Sequence, residues 1–330
     1  MSVTIKDIAS LAGVSYSTVS KALNDSPLVK EKTKRKIFRI ADQLGYVPNF
    51  AAKSLVSKKS NTIGLLWPTV ERTAVSTLAT HINNELEKHS YSMILSINEM
   101  DSAIQLFNRL KVDGILVFEE NHANHVAIRP TSIPIICYGE SGNSEIPYID
   151  VDRKNAIFMA VKYLYSLGHR RIAYIGDSGK RIQKEKYIGF TEGVMKHGLQ
   201  SHPDMVINTE GLGWQNGYIA TKKLLASSFK PTAIVSATYE LTIGAIRAIK
   251  EARLSIPKDI SLISYDNIPQ MADLEVAMTT VGAPIEKIAK SIVQYLLEQI
   301  DKTNDGATSI PPLGSELVIR ESCYPPRDSE

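Results

Sequence analysis

The 330-residue sequence has only two cysteines and no long apolar run. Cys137 and Cys323 stand far apart and form no metal-spaced pattern, so we expect neither a disulfide framework nor a cysteine metal site. No stretch reaches the roughly 18 apolar residues that a membrane-spanning helix needs. The opening residues, MSVTIKDIAS, lack the basic and then apolar segments of a secretory signal. We therefore expect a cytoplasmic protein with no membrane contact.

Signatures of catalysis and of nucleotide binding are also missing. No GxGxxG follows an early strand, no phosphate-loop pattern occurs, and no serine has the context of a nucleophile elbow. The segment GHRR contains His169, which we interpret as a structural residue. We expect no catalytic residue, no metal and no cofactor.

Positive charge is concentrated near the start of the chain. Residues 1–60 contain 11 Lys and Arg against 4 Asp and Glu, a balance of +7. The other 270 residues contain 27 against 31, a balance of −4. Such a basic module is typical of one that meets a polyanion. A basic segment that only aids solubility is the alternative.

Three amphipathic segments follow one another in this basic region. In TIKDIASLAGV the apolar residues recur at the spacing of one helix face, with Thr4 and Asp7 as a capping box and Gly13 as the end. A second helix is predicted from Ser15 to about Asn24, and a third in SPLVKEKTKRKIFRIADQLGY. Two short helices joined at a glycine turn, with a third packed behind them, make a helix-turn-helix.

The second of these helices has one polar and one apolar arc. At about 100° per residue, its polar arc brings together Tyr16, Ser17, Ser20 and Lys21. The apolar residues fall opposite, where they would pack on the other two helices. The polar arc is then free to read base edges in the major groove of DNA. A merely solvated face is the alternative.

These residues resemble a known family. TIKDIASLAGVSYSTVSKALN, followed by LGYVPNFAAKSL, resembles the DNA-binding head of the LacI/GalR family of bacterial transcriptional regulators. The resemblance implies that Tyr16 and Ser17 read bases, with Lys21 where the family usually has arginine. It implies that Leu55, in a short hinge helix, wedges into the minor groove, with a plain tether as the alternative. The further DNA contacts that it implies are Thr4, Ser15, Thr18, Ser20, Asn24, Asn49 and Ala52.

From residue 62 the hydrophobic period changes. Short apolar runs such as TIGLLW, IPIICY, RIAYIG and ISLISY alternate with helical stretches, which indicates parallel α/β sheets. About nine strands are predicted, more than one sheet holds comfortably, so we expect two lobes. The segments VDGILV, YIDVD, YLYSLGHRRIAYIG and GAIRAIKEARLSIPKDISLISYDN resemble the LacI/GalR effector-binding core, itself similar to periplasmic sugar-binding proteins.

The resemblance implies an α/β protein in three parts. These are a three-helix helix-turn-helix head at residues 1–46, a hinge helix and linker at 47–61, and a periplasmic-binding-protein-like core of parallel sheets at 62–330. Within the core, the N-lobe is expected at about 62–151 and 284–324, and the C-lobe at about 152–283. The chain ends without a heptad segment, so we expect no tetramerising coil.

A ligand is expected in the cleft between the lobes, near the carboxyl ends of the strands. Arg72, at the cleft mouth, would donate two parallel hydrogen bonds to a carboxylate or phosphate of the ligand. The alternative is a surface residue that caps the helix or pairs with Glu71. Trp214 is either a stacking platform or a core aromatic. The candidate effector residues are Pro68, Thr69, Arg72, Ala74, Phe118, Asp152, Lys186, Leu212, Trp214, Thr238, Tyr239, Asp266 and Ala283.

Some of these positions depart from the family pattern. Asp152 and Asp266 match it and suit sugar hydroxyls or an amine. Thr238 and Tyr239 stand where the family commonly has Asn-Asp, and Ala283 stands where Gln is common. These departures argue against a standard hexose as the effector.

The sequence therefore predicts a sequence-specific transcriptional regulator, most simply a repressor. It would bind a pseudo-palindromic double-stranded operator as a homodimer, under the control of a sugar-like effector for which an anionic derivative is one alternative. Other readings are a solute-binding or sugar-processing protein with the same core fold, and a non-specific nucleoid-binding protein. The last would bind DNA with a steep salt dependence but no sequence preference.

Overall fold

The structure, a computed structural model, describes residues 3–46, 59–67, 69–118, 132–139, 146–179, 181–301 and 310–327. The chain divides into two compact units, Met1–Ser60 and Asn61–Glu330. The first is called the head and the second the core. The predicted hinge helix falls on residues 47–58, outside the described residues.

The head is a bundle of three helices. These are α1 Ile5–Ala12, α2 Tyr16–Leu23 and α3 Glu31–Gln43. Their apolar faces meet around Ile8, Val19 and Ile37, which are fully buried. The helical spacing of apolar residues read from the sequence thus produces a small, closed core.

Hydrogen bonds fix the two helix starts that frame the turn. The Asp7 carboxylate accepts from the Thr4 amide at 2.8 Å and from the Thr4 hydroxyl at 2.7 Å. Gly13 ends α1 in the left-handed conformation, at φ 66°, which a residue with a side chain adopts only with strain. The Ser15 hydroxyl accepts from the Thr18 amide at 3.2 Å. The predicted caps of α1 and α2 are therefore confirmed.

The first sheet of the core has five parallel strands in the order β2-β1-β3-β4-β5. The strands are β1 Thr62–Leu66, β2 Ser92–Ser96, β3 Gly114–Phe118, β4 Ile135–Tyr138 and β5 Tyr148–Ile149. Helices α4 Thr73–Lys88 and α5 Met100–Leu110 connect the first three strands. Strand β1 is buried along its whole length, as expected of an interior strand in a covered parallel sheet.

The second sheet has six strands in the order β11-β10-β9-β8-β6-β7. The strands are β6 Ile172–Gly176, β7 Val206–Asn208, β8 Ala233–Ser236, β9 Ser261–Tyr265, β10 Thr279–Gly282 and β11 Glu316–Val318. Its helices are α6 Arg153–Ser166, α7 Arg181–Lys196, α8 Trp214–Ala226 and α9 Tyr239–Glu251, with short 3-10 turns at Pro203–Met205 and Pro269–Met271. The predicted class, α/β with two parallel sheets, is confirmed; only β11 runs antiparallel to its neighbour.

The chain crosses between the two sheets at three places. After β5 it passes through Asp150 and Asp152 into α6. After β10 it enters α10, Ile285–Asp301, which packs on α4 and β3 of the first sheet. It then returns past Leu313, whose amide donates to the Asp150 carbonyl at 2.8 Å and whose carbonyl accepts from the Asp152 amide at 3.0 Å. These crossings form the hinge of the core.

The predicted lobe division needs one correction. It assigned all of 284–324 to the N-lobe; among the described residues of this range, α10 packs on the first sheet but β11 does not. Strand β11 pairs with β10 in the second sheet, with Thr280 opposite Val318. The backbone hydrogen bonds of β11 therefore place Glu316–Val318 in the C-lobe.

Two further results concern the described part of the core and head. Within it, no helix combines the length and the apolar character that crossing a bilayer requires. Nor do three or more His, Cys, Asp or Glu side chains of the described ranges cluster as they would around a metal ion.

Candidate DNA-reading and effector sites

The two arcs predicted for α2 are separated in the head as expected. Val19 and Ala22 are fully buried against the other helices. Tyr16 is 55% exposed, and Ser17 and Lys21 are exposed beside it. The arc thus presents a phenol, a hydroxyl and an ammonium to solvent, the groups that hydrogen-bond to base edges and phosphates.

Other polar side chains of the head bond within it. The Ser15 hydroxyl lies 2.9 Å from the Ser17 hydroxyl and 2.8 Å from the Thr18 hydroxyl. The Asn24 amide donates to the Ser20 carbonyl at 3.0 Å. These bonds hold the two ends of α2 in place. The residues that make them therefore have a structural role, and a contact with a DNA phosphate would be a second role. Asn49, Ala52 and Leu55 lie outside the described residues.

Two lysines on α3 hold the bundle together. Lys34 is buried and donates to both the carbonyl (3.1 Å) and the carboxylate of Asp25. Lys36 donates at 2.9 Å to the carbonyl of Ala12, the last residue of α1, where the helix dipole favours a cation. Both ammonium groups keep their charge, but their hydrogen bonds are made within the head.

The core has a cavity at the carboxyl ends of both sheets. It has an empty volume of about 620 Å³, part of which is open to solvent. A residue just after β1 and the last residues of β3 and β4 line it from the first sheet, and side chains of α7 and the end of β9 line it from the second. A cleft at this position, between the carboxyl ends of two parallel sheets, suits a small ligand.

One wall of the cavity, on the side of the first sheet, is aromatic. The rings of Trp67 and Phe118 have centroids 4.9 Å apart, and those of Phe118 and Tyr138 are 5.3 Å apart. The Trp67 ring is fixed because its N–H donates to the Val75 carbonyl at 3.0 Å. This wall offers an apolar surface against which one face of a ring would stack.

The opposite wall is polar. Lys186, 2% exposed, donates to the Ala237 carbonyl at 2.8 Å and lies 3.6 Å from the Tyr265 ring centroid. Asp266, at φ 77°, accepts from the Tyr239 amide at 2.9 Å. These contacts hold a cation and a carboxylate at the cavity in fixed positions.

Gln183 contributes an acceptor to the same wall. The residue is 1% exposed, and its side-chain oxygen has no hydrogen-bond partner among the residues that the structure describes. A buried acceptor without a partner costs about 1–3 kcal/mol, so such groups in native proteins call for an explanation. A donor on a ligand in the cavity supplies one.

A buried ion cluster centred on Arg153 forms part of the cavity lining. Its guanidinium, 4% exposed, contacts the Asp150 carboxylate at 2.5 Å and Glu185 at 3.5 Å. Burial alone would lower the Arg153 pKa, but the carboxylates and the phenols of Tyr138 and Tyr265 outweigh it, and the pKa is raised. Because Asp150 is a hinge residue, this cluster ties the cavity to the hinge.

The two phenols beside Arg153 remain protonated. Burial, opposed by Arg153, raises the pKa of Tyr138 to about 12. Burial likewise raises the pKa of Tyr265 well above its ordinary value. Both side chains therefore stay hydrogen-bond donors at any physiological pH.

The comparisons with known proteins bear on both units. The head matches the model "Bacterial regulatory proteins, lacI family" over residues 4–49, and the core matches "Periplasmic binding protein-like domain" over residues 161–323. Catabolite control protein A of Priestia megaterium is 30% identical over 98% of this chain and 99% of its own length. "Probable HTH-type transcriptional repressor ExuR" of Bacillus subtilis (strain 168) is 32% identical over 97% and 98%. The chain belongs to the LacI family.

Solved structures of the family share the fold. A lac repressor dimer bound to operator and an anti-inducer superposes with a TM-score of 0.84, at 24% identity, over 98% of this chain and 100% of that chain. A LacI-family regulator from Enterococcus faecium with bound ribose gives a TM-score of 0.71 at 26% identity, over 80% and 99%. This LacI-family chain is a DNA-binding transcriptional regulator, as the sequence predicted; the relatives are regulators rather than enzymes.

About half of the predicted effector residues line the cavity of this LacI-family core. Those that do are Arg72, Ala74, Phe118, Lys186, Asp266 and Ala283. Burial raises the pKa of the nearby Glu240 carboxyl, and the positive charge of Arg72 opposes that rise. Arg72 is half-buried and contributes no side-chain cap to α4, so the alternative of a surface helix cap is not supported. Pro68 lies outside the described residues.

Other predicted effector residues have structural roles instead of a place in the lining. Asp152 caps α6 by accepting from the Asn155 amide at 2.9 Å, and Thr238 caps α9 through the Leu241 amide at 3.3 Å. A residue at the N-cap turns its side chain toward its own helix, which takes it away from the cleft. The Tyr239 backbone amide holds Asp266, as described above.

Three further candidates lie elsewhere in the core. Leu212 is buried in the apolar core. Trp214 is 39% exposed, with the Arg247 guanidinium 5.2 Å from its ring, so it is neither a cavity platform nor a core aromatic. The Thr69 hydroxyl accepts from the Glu71 amide at 3.1 Å.

Several lining residues were not predicted. They are Trp67, Tyr138, Arg153, Gln183, Tyr265 and Asn267, with apolar neighbours. Three of them are aromatic residues at or just after strand ends, in TIGLLW, IICY and ISLISY, and that position was a usable signal. Arg153 follows the predicted Asp152 by one residue.

Proposed function

We propose that this protein is a repressor that binds a pseudo-palindromic operator as a homodimer and is controlled by a small-molecule effector held in the cavity of the core. The exposed polar arc of α2 on a basic head carries the DNA part of this proposal. The relative of known structure described as a lac repressor dimer bound to operator supports it. Two heads related by dimer symmetry fit two half-sites.

The cavity supports a polyhydroxylated, ring-shaped effector. Its aromatic wall suits the apolar face of a sugar-like ring, and Gln183 and Asp266 on the facing wall suit hydroxyl donors. The family member with bound ribose supports the same class of ligand. The ligand acts on DNA binding only if its affinity differs between two arrangements of the lobes.

The charges near the cavity favour a neutral effector over an anionic derivative. Arg153 is paired with Asp150, and Asp266 places a second carboxylate in the lining. An anionic ligand would therefore meet one guanidinium that is already paired and one carboxylate of like charge, which adds repulsion to its binding free energy.

DNA binding is tested by selecting duplexes from a random pool with the purified protein at fixed salt. A palindromic consensus bound at least about a thousandfold more tightly than scrambled DNA is expected, the lower end of the range for specific DNA binding. Equal affinity for all duplexes would contradict sequence-specific binding and would favour the alternative of a non-specific nucleoid-binding protein.

Effector binding is tested by thermal shift with matched sets of neutral sugars, sugar acids and sugar phosphates. A neutral sugar should raise the melting temperature of the core and change operator affinity. A response restricted to the acids or phosphates would reverse the charge argument, and no effect of any stabilising ligand on operator affinity would contradict effector control.

A further inference from the structure

Glu240 joins the two lobes of the core directly. It is the second residue of α9, in the C-lobe. One oxygen of its carboxylate accepts from the backbone amide of Thr73 at 2.7 Å. Thr73 is the first residue of α4, in the N-lobe. This hydrogen bond therefore spans the cleft that contains the cavity.

A second bond holds the same end of α4. The Gln270 side-chain amide donates to the Thr77 hydroxyl at 3.1 Å. Thr77 lies one turn after Thr73 on α4, whereas Gln270 belongs to the 3-10 turn that follows β9 in the C-lobe. Two C-lobe side chains thus hold the first turn of one N-lobe helix.

The backbone beneath Glu240 is firmly placed. The Tyr239 amide donates to Asp266 at the end of β9. Helix α9 packs so closely on α8 that a Cβ on Gly244 would lie 2.0 Å from the Trp214 carbonyl oxygen. On the other side, α4 packs on α10. The bond from Glu240 to Thr73 therefore connects two rigid bodies.

The bond depends on the arrangement of the lobes seen here. The amide at the start of a helix has no partner within that helix, and the helix dipole favours a carboxylate there. Burial raises the pKa of Glu240, and the charge of Asp266 raises it further, whereas the Thr73 amide and the charge of Arg72 favour the ionised carboxylate. Its second oxygen is buried without a hydrogen-bond partner in the described ranges. If the lobes part, water replaces the Thr73 amide and hydrates the carboxylate.

We propose that Glu240 is a positioning residue that fastens α9 of the C-lobe to the start of α4 and so sets the arrangement of the two lobes seen in this structure. Gln270 supports it one turn along α4. The inference deepens the proposed function, because it names the contact through which lobe arrangement, and hence effector response, is set.

Hydrogen exchange on the full-length protein, without DNA or ligand, tests this role. In Glu240→Ala, exchange in peptides covering residues 73–80 should rise about tenfold, the size expected from losing one charge-assisted bond. Glu240→Gln keeps a side-chain oxygen for the Thr73 amide and should restore most of the protection. The matched control is Glu251→Ala, at the other end of α9, whose carboxylate bonds Tyr218 and Arg247 within the C-lobe.

The outcomes separate the alternatives. Unchanged exchange at 73–80 in Glu240→Ala, or an equal rise in the control, would overturn the proposal. If Glu240→Ala does not fold, Thr77→Val removes the Gln270 bond and should raise exchange at the same peptides a fewfold; no rise there would overturn it too. Since no DNA or effector is present, failure here leaves the proposed function standing, and failure of operator binding leaves this contact standing.

Discussion

The head and the core differ in where their candidate binding side chains lie. In the head these side chains are exposed, outside the apolar interior, whereas in the core they are buried around a cavity. In the head, Tyr16 and Lys21 point to solvent while Val19 and Ala22 fill the interior. In the core, Arg153, Lys186 and Gln183 are buried and line a cavity. Recognition and stability are thus carried by different residues in the head, whereas one set of buried groups serves both in the core.

The largest expected effect is the loss of Arg153. Arg153→Ala leaves Asp150 buried without its cation, and breaking such a pair costs about 3–5 kcal/mol. Calorimetry should show the core transition fall while the head is unaffected. The adjacent Lys154→Ala, which loses only an exposed pair with Glu192, should cost less than about 1 kcal/mol. Equal melting temperatures for the two variants would refute the buried cluster as a determinant of core stability.

In the head, the comparison predicts a loss of recognition without a loss of stability. Tyr16→Ala should weaken operator binding by roughly 1–3 kcal/mol, because a base-reading group is removed, while the melting temperature of the head stays unchanged. Fluorescence anisotropy at fixed salt measures the binding. Ser10→Ala, at an exposed position on α1, is the control. A fall in affinity for scrambled duplexes as large as that for the operator would show that Tyr16 contacts no base.

The head was predicted from the sequence more completely than the cavity of the core, and the difference between exposed and buried sites explains why. The head is built from helical periodicity and caps, both local, so Thr4, Asp7, Gly13 and Ser15 were assigned correctly from spacing alone. Local spacing did not show that Lys34 turns inward to Asp25, since that contact depends on how the third helix packs.

The residues that line the cavity could not all be predicted from local sequence patterns. Its lining comes from strand ends and a helix far apart in the chain. Asp266 was found because it directly follows the apolar run of β9, and Lys186 was found through the family resemblance, because it stands where the family usually has arginine. Asp152 and Thr238 were assigned to the lining although each caps its own helix, and the choice between cap and cleft depends on side-chain direction. Arg153 was missed because its surroundings include Glu185, Tyr138 and Tyr265, which come from separate elements.

A smaller effect is expected at Gln183, which we expect to lower the stability of the ligand-free core and to increase its affinity for the ligand. Gln183→Leu removes a buried acceptor that has no partner among the described residues, so the ligand-free core should gain about 1 kcal/mol of stability. The same variant should lose about tenfold in affinity for whichever sugar stabilises the unmodified protein, since one hydrogen bond is lost. Gln294→Leu, at an exposed position on α10, should change neither quantity. A destabilised Gln183→Leu that still binds the sugar normally would contradict this assignment.

The smallest effect concerns pH and a part of the core remote from the cavity. His169 is buried, with Nδ1 2.9 Å from the Thr232 hydroxyl and Nε2 3.0 Å from the Tyr324 carbonyl oxygen. Burial lowers its pKa below the ordinary value of 6.5, so the folded core holds this ring neutral. The unfolded chain then binds the extra proton first. Stability contributed by His169 is therefore complete above pH 6.5 and is lost as the pH falls toward the folded-state pKa, by at most about 1.4 kcal/mol per pH unit. Urea unfolding between pH 7 and 5 should show a shallower slope in His169→Gln than in the unmodified protein, and parallel slopes would mean that this ring does not titrate with unfolding.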